Sequence, residues 1–337
     1  MQKIYDVAGM GSPLLDFIVE IEDQALVDVG LQKGTMTLIS EDDSVRIFKQ
    51  IIDRKIVIAP GGSSANTLAG VSILGGKSVF MGKIGNDEHG NTYAAQSNAA
   101  GVICHFSRDG EVATGHAITF VTPDGERTFA THLGASLYFR KQDVNDEDIA
   151  ASKIIHFEGY QLDDPGLREA VLHAMEIAKA NDTRVSIDLS DPGVITRNHD
   201  LIMQLLQTFV DIVFVNEVEA EVLTGKPAEE AVVLIAKLCD VAVVKVGDKG
   251  SYVQEGTILH RISPFQVNVE NTNGAGDMYA AGILYGLTSN VPIKEAGHIA
   301  SFAASQVVAQ REARLSHSSA REVNEFVRGM LLDLDNK

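Results

Sequence analysis

Residues 271–277 read Asn-Thr-Asn-Gly-Ala-Gly-Asp and stand directly before the apolar run 278–284. This apolar run is typical of a buried helix, so the small residues at 274–276 are predicted to form its first turn. A helix N-terminus with so few side-chain atoms exposes unpaired backbone N–H groups, which attract anions. Asp277 is then either a residue that suits the helix dipole or a base that takes a proton from a hydroxyl beside the anion.

Short apolar runs alternate with amphipathic segments along the rest of the chain. Strands that alternate with helices of about 10–15 residues indicate crossover connections and a mostly parallel sheet. The predicted strands are residues 5–10, 57–60, 78–83, 154–158, 185–189, 212–215, 241–246 and 265–269. The predicted helices are residues 64–74, 88–100, 166–180, 227–238, 275–287, 294–310 and 320–332. The sequence therefore predicts an α/β fold.

Two segments depart from this alternation. Residues 17–39 contain short alternating stretches, and residues 112–131 alternate on both sides of the turn Pro123-Asp124-Gly125, which predicts a hairpin. Together they indicate a small β lid over one edge of the sheet, although surface decoration gives the same pattern. Since no Pro/Ser-rich linker divides the chain, we expect residues 1–337 to form a single domain with a discontinuous lid from about 17–39 and 112–132.

Composition excludes several classes of partner. The 28 Lys and Arg residues are outnumbered by 46 Asp and Glu residues, which gives a formal charge of −18. Nucleic acids and anionic membranes are bound through basic surfaces, so neither is expected as a partner. No apolar run approaches the about 18 residues of a membrane span, and no signal peptide is expected. Two cysteines without a CxxC motif favour a reducing, cytoplasmic location.

A second polar cluster follows the predicted strand 57–60. Residues 60–66 read Pro-Gly-Gly-Ser-Ser-Ala-Asn, and the two glycines allow the backbone to approach a ligand closely. Asn66 offers a donor and an acceptor, which suits a vicinal diol, and Asp16 near the end of the first strand can accept from two hydroxyls. Each feature alone also fits a plain turn or a solvated acid. Together they place polar groups at strand ends, where open parallel sheets bind ligands.

Two further motifs follow strands later in the chain. Residues 216–219 read Asn-Glu-Val-Glu and could hold Mg²⁺ through water, although an acidic first helical turn reads the same way. Residues 245–250 read Lys-Val-Gly-Asp-Lys-Gly and suit either a nucleotide phosphate or ribose, or a simple hairpin turn.

Along the chain the motifs follow the order 60–66, 216–219, 245–250 and 274–277, with Gly85-Asn86-Asp87 between the first two. This order resembles that of the ribokinase-like (PfkB) carbohydrate kinase family over nearly the whole chain. Residues 11–16 and 296–301 are most similar to its adenosine kinase branch. The resemblance implies a Rossmann-like αβα sandwich with a β lid, ATP and Mg²⁺ as cosubstrates, and transfer of the γ-phosphoryl group to a primary hydroxyl.

The resemblance also implies roles for single residues. Asp277 becomes the base, while Gly274, Ala275 and Gly276 form the anion hole. Glu219 becomes the residue that organises Mg²⁺ through water. The acceptor-binding residues are Ser12, Asp16, Gly61, Gly62, Asn66 and Arg127, and the ATP-binding residues are Asn216, Glu219, Lys245, Gly247, Gly250 and Ser301. Arg127, on the lid, either reaches the transferring phosphate or is an ordinary exposed charge.

Three departures from the family pattern qualify these expectations. The family often has Asp at the position of Asn271 and Thr at the position of Asn273, and it often has a glycine-containing turn at 311–314. These positions lie where a monovalent cation can bind in the family, so potassium activation is left open. Ser12 replaces an Asn that is frequent in adenosine kinases, which weakens the assignment of a nucleoside.

The leading hypothesis is therefore an ATP-dependent kinase of a ribonucleoside such as adenosine, acting in purine salvage. The alternatives are a kinase of ribose, fructose or a related sugar and, more remotely, a nucleotide-binding regulator without catalysis. A nucleoside needs an apolar wall for its base, which Phe17, Met36, Phe120 and Phe129 could supply, although packing within the lid explains them equally well. We expect a monomer or a homodimer.

Overall fold

Strands and helices alternate along most of the chain. The structure is a computed structural model and describes residues 2–335. Its elements in chain order are β1 (Tyr5–Met10), β2 (Leu14–Glu20), α1 (Asp23–Val29), β3 (Met36–Leu38), α2 (Glu41–Ile51), β4 (Ile56–Gly61), α3 (Ser63–Ile73), β5 (Ser78–Gly85), α4 (Glu88–Ala99), β6 (Ile103–Asp109), β7 (Thr114–Val121), β8 (Arg127–Gly134), α5 (Asp146–Ala150), β9 (Ser152–Glu158), α6 (Pro165–Ala180), β10 (Arg184–Asp188), α7 (Pro192–Thr208), β11 (Ile212–Asn216), α8 (Glu217–Thr224), α9 (Ala228–Ile235), β12 (Val241–Lys245), β13 (Ser251–Glu255), β14 (Ile258–Ile262), α10 (Ala275–Thr288), α11 (Ile293–Val308) and α12 (His317–Asp335).

Within residues 2–335 the larger sheet has nine strands in the order β14-β13-β12-β11-β10-β9-β1-β5-β6. All neighbours from β12 to β6 are parallel, and the hairpin β13–β14 extends one edge in the antiparallel sense. Apolar residues of α3, α10, α11 and α12 pack in the core on one face, and those of α5 to α9 pack on the other. The predicted α/β sandwich with a mostly parallel sheet is confirmed.

The smaller sheet, here called the lid together with α1 and α2, has the strand order β3-β8-β7-β2-β4 within the described residues. Its own core packs Val19, Ile47 and Phe120 between the strands and the two helices. The hairpin predicted around residues 123–125 is present as β7 and β8. β4, which the sequence analysis placed among the alternating core strands, instead pairs antiparallel with β2. Its Val57 and Ile58 are exposed, so this strand is not buried on both faces.

One predicted strand is wrong. Residues 265–269 form no strand, because β14 ends at Ile262 and the chain then leaves the sheet. Phe265 packs its ring against Phe302 and Phe326, with centroid distances of 5.1 and 5.6 Å. The apolar side chain of this segment is therefore packed against α11 and α12 rather than against a neighbouring strand. Across residues 2–335, no helix combines the length and the apolar character needed to cross a bilayer.

Neighbouring parallel strands of the large sheet end in polar residues. β9 ends at Glu158 and β10 at Asp188, and these two residues are partners in register. β11 ends at Asn216 and β12 at Lys245, which are likewise partners. Because parallel strands share the direction of their carboxyl ends, all four side chains gather at one edge of the sheet. The lid is joined to the same edge, because β2 follows β1 after three residues.

Candidate active site

Asp277 lies in the first turn of α10, beside the first turn of α3. Its Oδ1 accepts a hydrogen bond from Ser63 Oγ at 2.7 Å, and its Oδ2 accepts one from Asn66 Nδ2 at 3.0 Å. Burial raises the pKa of Asp277 to about 6, while the hydrogen bonds from Asn66 and Ser63 act in the opposite direction. The carboxylate is therefore ionised at neutral pH yet close enough to its pKa to accept a proton.

The backbone before Asp277 forms an anion-binding turn. Gly274 precedes α10 with φ 79°, and a Cβ on it would lie 2.2 Å from the carbonyl oxygen of Ala313. Only glycine fits there, since both the conformation and the space exclude a side chain. Among residues 2–335, the N–H groups of Gly276 and Asp277 have no hydrogen-bond partner. A Cβ on Gly276 would lie 3.2 Å from Lys245 Nζ, so an ammonium stands beside these free N–H groups.

Asp16 projects from β2 into the same region. A Cβ on Gly61 would lie 2.6 Å from Asp16 Oδ1, and one on Gly62, which has φ 93°, would lie 2.3 Å from the Ser12 carbonyl oxygen. The two glycines thus make room for the carboxyl group and for the Ser12 backbone. Burial raises the pKa of Asp16 to about 7 against the opposing effect of nearby arginines. Its carboxyl group has no hydrogen-bond partner among the described residues, so it is available to ligand hydroxyls.

A cation and two carboxylates lie on the other side of Asp277. Lys245 Nζ donates to Asp188 Oδ2 at 2.7 Å. Burial alone would lower the pKa of Lys245, but Asp188 and Glu219 raise it, so the ammonium stays charged. Asn216 and Glu219 form a capping box at the start of α8, in which Glu219 accepts from Asn216 N at 2.8 Å and from its Nδ2 at 2.6 Å.

Glu219 is the residue predicted to organise Mg²⁺. Both of its carboxylate oxygens accept from Asn216, and burial raises its pKa to about 7. In the part of the chain that the structure describes, no group of three or more His, Cys, Asp or Glu side chains is placed to hold a metal ion. A carboxylate of this kind is compatible with the water-mediated role predicted for Glu219, which stays a prediction.

These groups line one cavity of about 1110 Å³. The predicted site residues among its walls are Ser12, Asp16, Gly62, Asn66, Asn216, Glu219, Lys245, Gly274, Gly276 and Asp277. The lid strands contribute the apolar side chains Leu14, Met36, Leu38, Ala117, Phe129 and Leu133 to the cavity, together with the polar side chains Asp16, Thr37 and Thr131. Of the four side chains considered for an apolar wall, Met36 and Phe129 are thus in place. Phe17 packs against Phe48 and Phe120 lies in the lid core, so neither reaches the cavity.

Other predicted site residues lie outside this cavity. Gly247 and Gly250 form the turn between β12 and β13, where a Cβ on Gly250 would lie 2.0 Å from the Ile262 carbonyl oxygen. Ser301 on α11 donates to the Ser263 carbonyl at 2.9 Å. Gly61 and Ala275 adjoin cavity residues without lining it.

Arg127, at the start of β8, also lies outside the cavity. It donates through Nη2 to the carbonyl oxygen of Arg311, which also accepts from Asn271 Nδ2 at 3.1 Å. The lid is thereby tied to the loop between α11 and α12, which Asn271 in turn links to the segment preceding the anion-binding turn.

Several residues of the site were not predicted from the sequence. Glu158 accepts from the backbone N–H groups of Ser12 and Ser64, both at 3.0 Å, and so holds two loops together. Glu158 and Asp188 end neighbouring strands, and the reasoning that selected Asn216 from its position after a strand would have found them as well. Arg314, which donates to Asn66, carried no comparable signal, because it lies in a loop between helices.

A sequence profile described as pfkB family carbohydrate kinase matches residues 36–320. The chain belongs to this family of kinases. Its match extends from the lid to the start of α12 and includes every predicted site residue except those at 12 and 16.

Individual members of the pfkB family are similar over most of this chain. A 5-dehydro-2-deoxygluconokinase of Bacillus licheniformis is 33% identical over 281 residues, which are 79% of this chain and 86% of that protein. The crystal structure of adenosine kinase from Sinorhizobium meliloti has 34% identity and a TM-score of 0.89, covering 96% of this chain and 99% of that one. A probable sugar kinase from Rhizobium etli has 32% identity and a TM-score of 0.90, covering 98% and 100%. The ribokinase-like fold and the kinase activity expected from the motifs are thereby confirmed.

Proposed function

We propose that this kinase transfers the γ-phosphoryl group of ATP to the primary (5′) hydroxyl of a ribonucleoside, with adenosine as the first candidate. The observation that carries this proposal is the mixed lining of the cavity. Asp16 and Asn66 offer hydrogen bonds to hydroxyls, while Met36, Phe129 and Leu133 contribute apolar side chains to the same cavity. A ribonucleoside likewise combines a polar sugar with a flat, weakly polar base.

The chemistry begins at Asp277. Its carboxylate takes the proton of the acceptor hydroxyl, and the acceptor oxygen attacks the γ-phosphorus. The bond between that phosphorus and the oxygen bridging to the β-phosphate breaks, and ADP leaves with the electron pair. The free N–H groups of Gly276 and Asp277 stabilise the negative charge during transfer, with the ammonium of Lys245 beside them. Catalysis in this scheme consists of positioning and charge neutralisation.

The nucleotide side of the proposal rests on fewer contacts. Lys245 and the Asn216–Glu219 capping box lie in the cavity where the phosphates would enter. Glu219 is the residue that would hold Mg²⁺ through water, and the ion would supply charge neutralisation on the phosphate oxygens when bound. Gly247, Gly250 and Ser301 remain predicted ATP-binding residues at the edge of the sheet that carries β12.

A sugar kinase is the second candidate. The relative that is 33% identical over 281 residues is named a 5-dehydro-2-deoxygluconokinase. The polar groups of the cavity suit a free sugar as well as a ribose, so only the apolar side chains in its lining favour the nucleoside. The remote alternative, a regulator without catalysis, has no support from the intact Gly274–Asp277 turn.

The test is an acceptor panel with purified protein, ATP and Mg²⁺, measured by ADP formation and by identification of the phosphorylated product. Adenosine and other ribonucleosides are compared with ribose, fructose and 5-dehydro-2-deoxygluconate. We expect the highest kcat/KM with a ribonucleoside phosphorylated at the 5′ position. A preference for a free sugar of tenfold or more would overturn the nucleoside assignment, and turnover of no acceptor would favour the regulator.

Potassium is varied in the same panel. Asn271 Nδ2 and Arg127 Nη2 both donate to the Arg311 carbonyl, so hydrogen bonds already engage an oxygen of this loop. This supports catalysis without added potassium, and equal rates in sodium and potassium buffers are expected. A monomer or a homodimer remains the prediction for the assembly, and size-exclusion chromatography with light scattering separates the two.

A further inference from the structure

Arg314 lies in the loop between α11 and α12 and reaches back to the site. Its Nε donates to Asn66 Oδ1 at 2.8 Å. The two remaining guanidinium nitrogens, Nη1 and Nη2, are buried and have no hydrogen-bond partner among the described residues. Burying these two donors without partners costs folding free energy, so Arg314 is not explained by stability alone.

The contact with Arg314 decides which way the Asn66 amide points. An Asn side chain carries an acceptor and a donor that exchange places when the amide rotates by half a turn. A guanidinium only donates, so the Asn66 oxygen must face Arg314. The Asn66 NH₂ group is then directed at Asp277, where Nδ2 lies 3.0 Å from Oδ2. One contact on Asn66 therefore fixes the other.

We propose that Arg314 is a positioning residue that acts through Asn66, holding its amide so that the NH₂ group donates to Asp277. The inference rests on the proposed function, in which Asp277 is the base. Without Arg314, the Asn66 amide is free to rotate and place its oxygen against the carboxylate, where two acceptors repel each other. The carboxylate then loses both an orienting hydrogen bond and a contact that favours its ionised form.

Other charges also act on Asp277 and must be separated from this effect. Asp188 raises the pKa of Asp277 and Lys245 lowers it. The charge of Asp277 in turn raises the pKa values of Asp16 and Glu158. Arg314 itself lowers the pKa of Asp16, so its removal has a direct electrostatic consequence as well. A test through Asn66 distinguishes the two routes, because a direct charge effect persists when Asn66 is absent.

The test is a double-mutant cycle with Arg314→Met, Asn66→Ala and the double variant, assayed on the acceptor that the wild type uses. We expect Arg314→Met to lower kcat by about 10- to 100-fold, the loss associated with one hydrogen bond to a charged group, while the KM for ATP stays unchanged. In the Asn66→Ala background the same substitution should cost less than about threefold. Arg314→Lys, which keeps a donor and the charge, should recover part of the rate. Arg321→Met, on an exposed arginine of α12, is the control for loss of one positive charge.

A second measurement needs no substrate. The ¹³C signal of the Asp277 carboxyl, assigned by its loss in Asp277→Asn, is titrated in the protein alone. We expect Arg314→Met to raise this pKa in the wild-type background and to leave it unchanged in Asn66→Ala. Equal pKa shifts in both backgrounds would overturn the inference and indicate a direct charge effect, and so would a kcat unchanged by Arg314→Met. Since this titration is independent of turnover, an inactive acceptor panel would count against the proposed function alone. Melting temperatures within a few degrees of wild type show that the variants are folded.

Discussion

Gly274→Ala tests the anion-binding turn most directly. The added Cβ would lie 2.2 Å from the Ala313 carbonyl oxygen, and the two backbones must separate by about 0.8 Å before the contact reaches even 3.0 Å. The residue also keeps φ 79°, which costs an L-residue about 1–2 kcal/mol. A displacement approaching 1 Å at reacting groups costs about 10²-fold in rate, and loss of one oxyanion donor costs about 10²–10³-fold. We therefore expect kcat to fall by at least about 10²-fold.

The control separates the shape of the turn from backbone strain. Gly256, in the turn between β13 and β14, has φ 56° and no atom within 4 Å of an added Cβ. Gly256→Ala should lower the melting temperature through the same kind of strain and leave kcat unchanged. Both variants are assayed by ADP formation at saturating ATP and acceptor, with thermal unfolding in parallel. If Gly274→Ala keeps kcat within about threefold of wild type while folded, the turn does not stabilise the transferred group.

The remaining predictions concern three side chains. Asp277→Asn should lower kcat by about 10²–10⁴-fold, while ATP binding, measured by calorimetry, should be retained. In the wild type, kcat/KM should fall as the pH drops through about 6, because the Asp277 base becomes protonated there. Burial raises the pKa of Asp16 from 3.8 to about 7, so the folded protein loses stability progressively as pH rises between these two values and carries the full cost above pH 7. Asp16→Asn should therefore raise the melting temperature at pH 8, and the gain should shrink towards pH 4. Phe129→Ala should raise the KM for a nucleoside by about tenfold and leave that for a free sugar unchanged, whereas equal effects on both would argue against a base beside the apolar side chains.

The alternation of strands and helices was sufficient to predict the large sheet and most of its elements. The sequence also predicted that Asp277, Asn66, Asp16 and Lys245 belong to one site, and all four line the same cavity. Strand direction explains this only for Lys245 at the end of β12, because Asp16 lies on the lid strand β2, Asn66 follows the lid strand β4, and residues 265–269 before Asp277 form no strand. Sequence proximity had no part in this, since Asp16 and Asp277 are 261 positions apart. The order of the motifs along the chain, which resembles that of the PfkB family, therefore carried the prediction of the site.

Features decided by tertiary contacts were not predictable in this way. β4 has the apolar composition of a core strand, yet it pairs with β2 because the β1–β2 connection leads directly into the lid. The run at 265–269 has strand-like composition, but Phe265 finds two aromatic partners on later helices. Arg314 comes from a loop with no periodicity, and only the folded chain brings it 2.8 Å from Asn66. In each case a partner distant in sequence decides the outcome.

The acidity of the chain also has a specific meaning at the site. Four carboxyl groups of the cavity have pKa values raised to about 6 or 7 by burial, namely Asp16, Glu158, Glu219 and Asp277. A polyphosphate entering such a cavity meets negative charge on most sides, so favourable binding requires opposing groups at short range. The free N–H groups of α10 and the ammonium of Lys245 are such groups and lie together. The distance from Lys245 Nζ to the position that a Cβ on Gly276 would occupy is 3.2 Å. In the proposed function the carboxylates bind the hydroxyls and, through water, the divalent cation, while the phosphate binds beside these free N–H groups and Lys245. This separation allows a protein with a charge of −18 to act on a triphosphate.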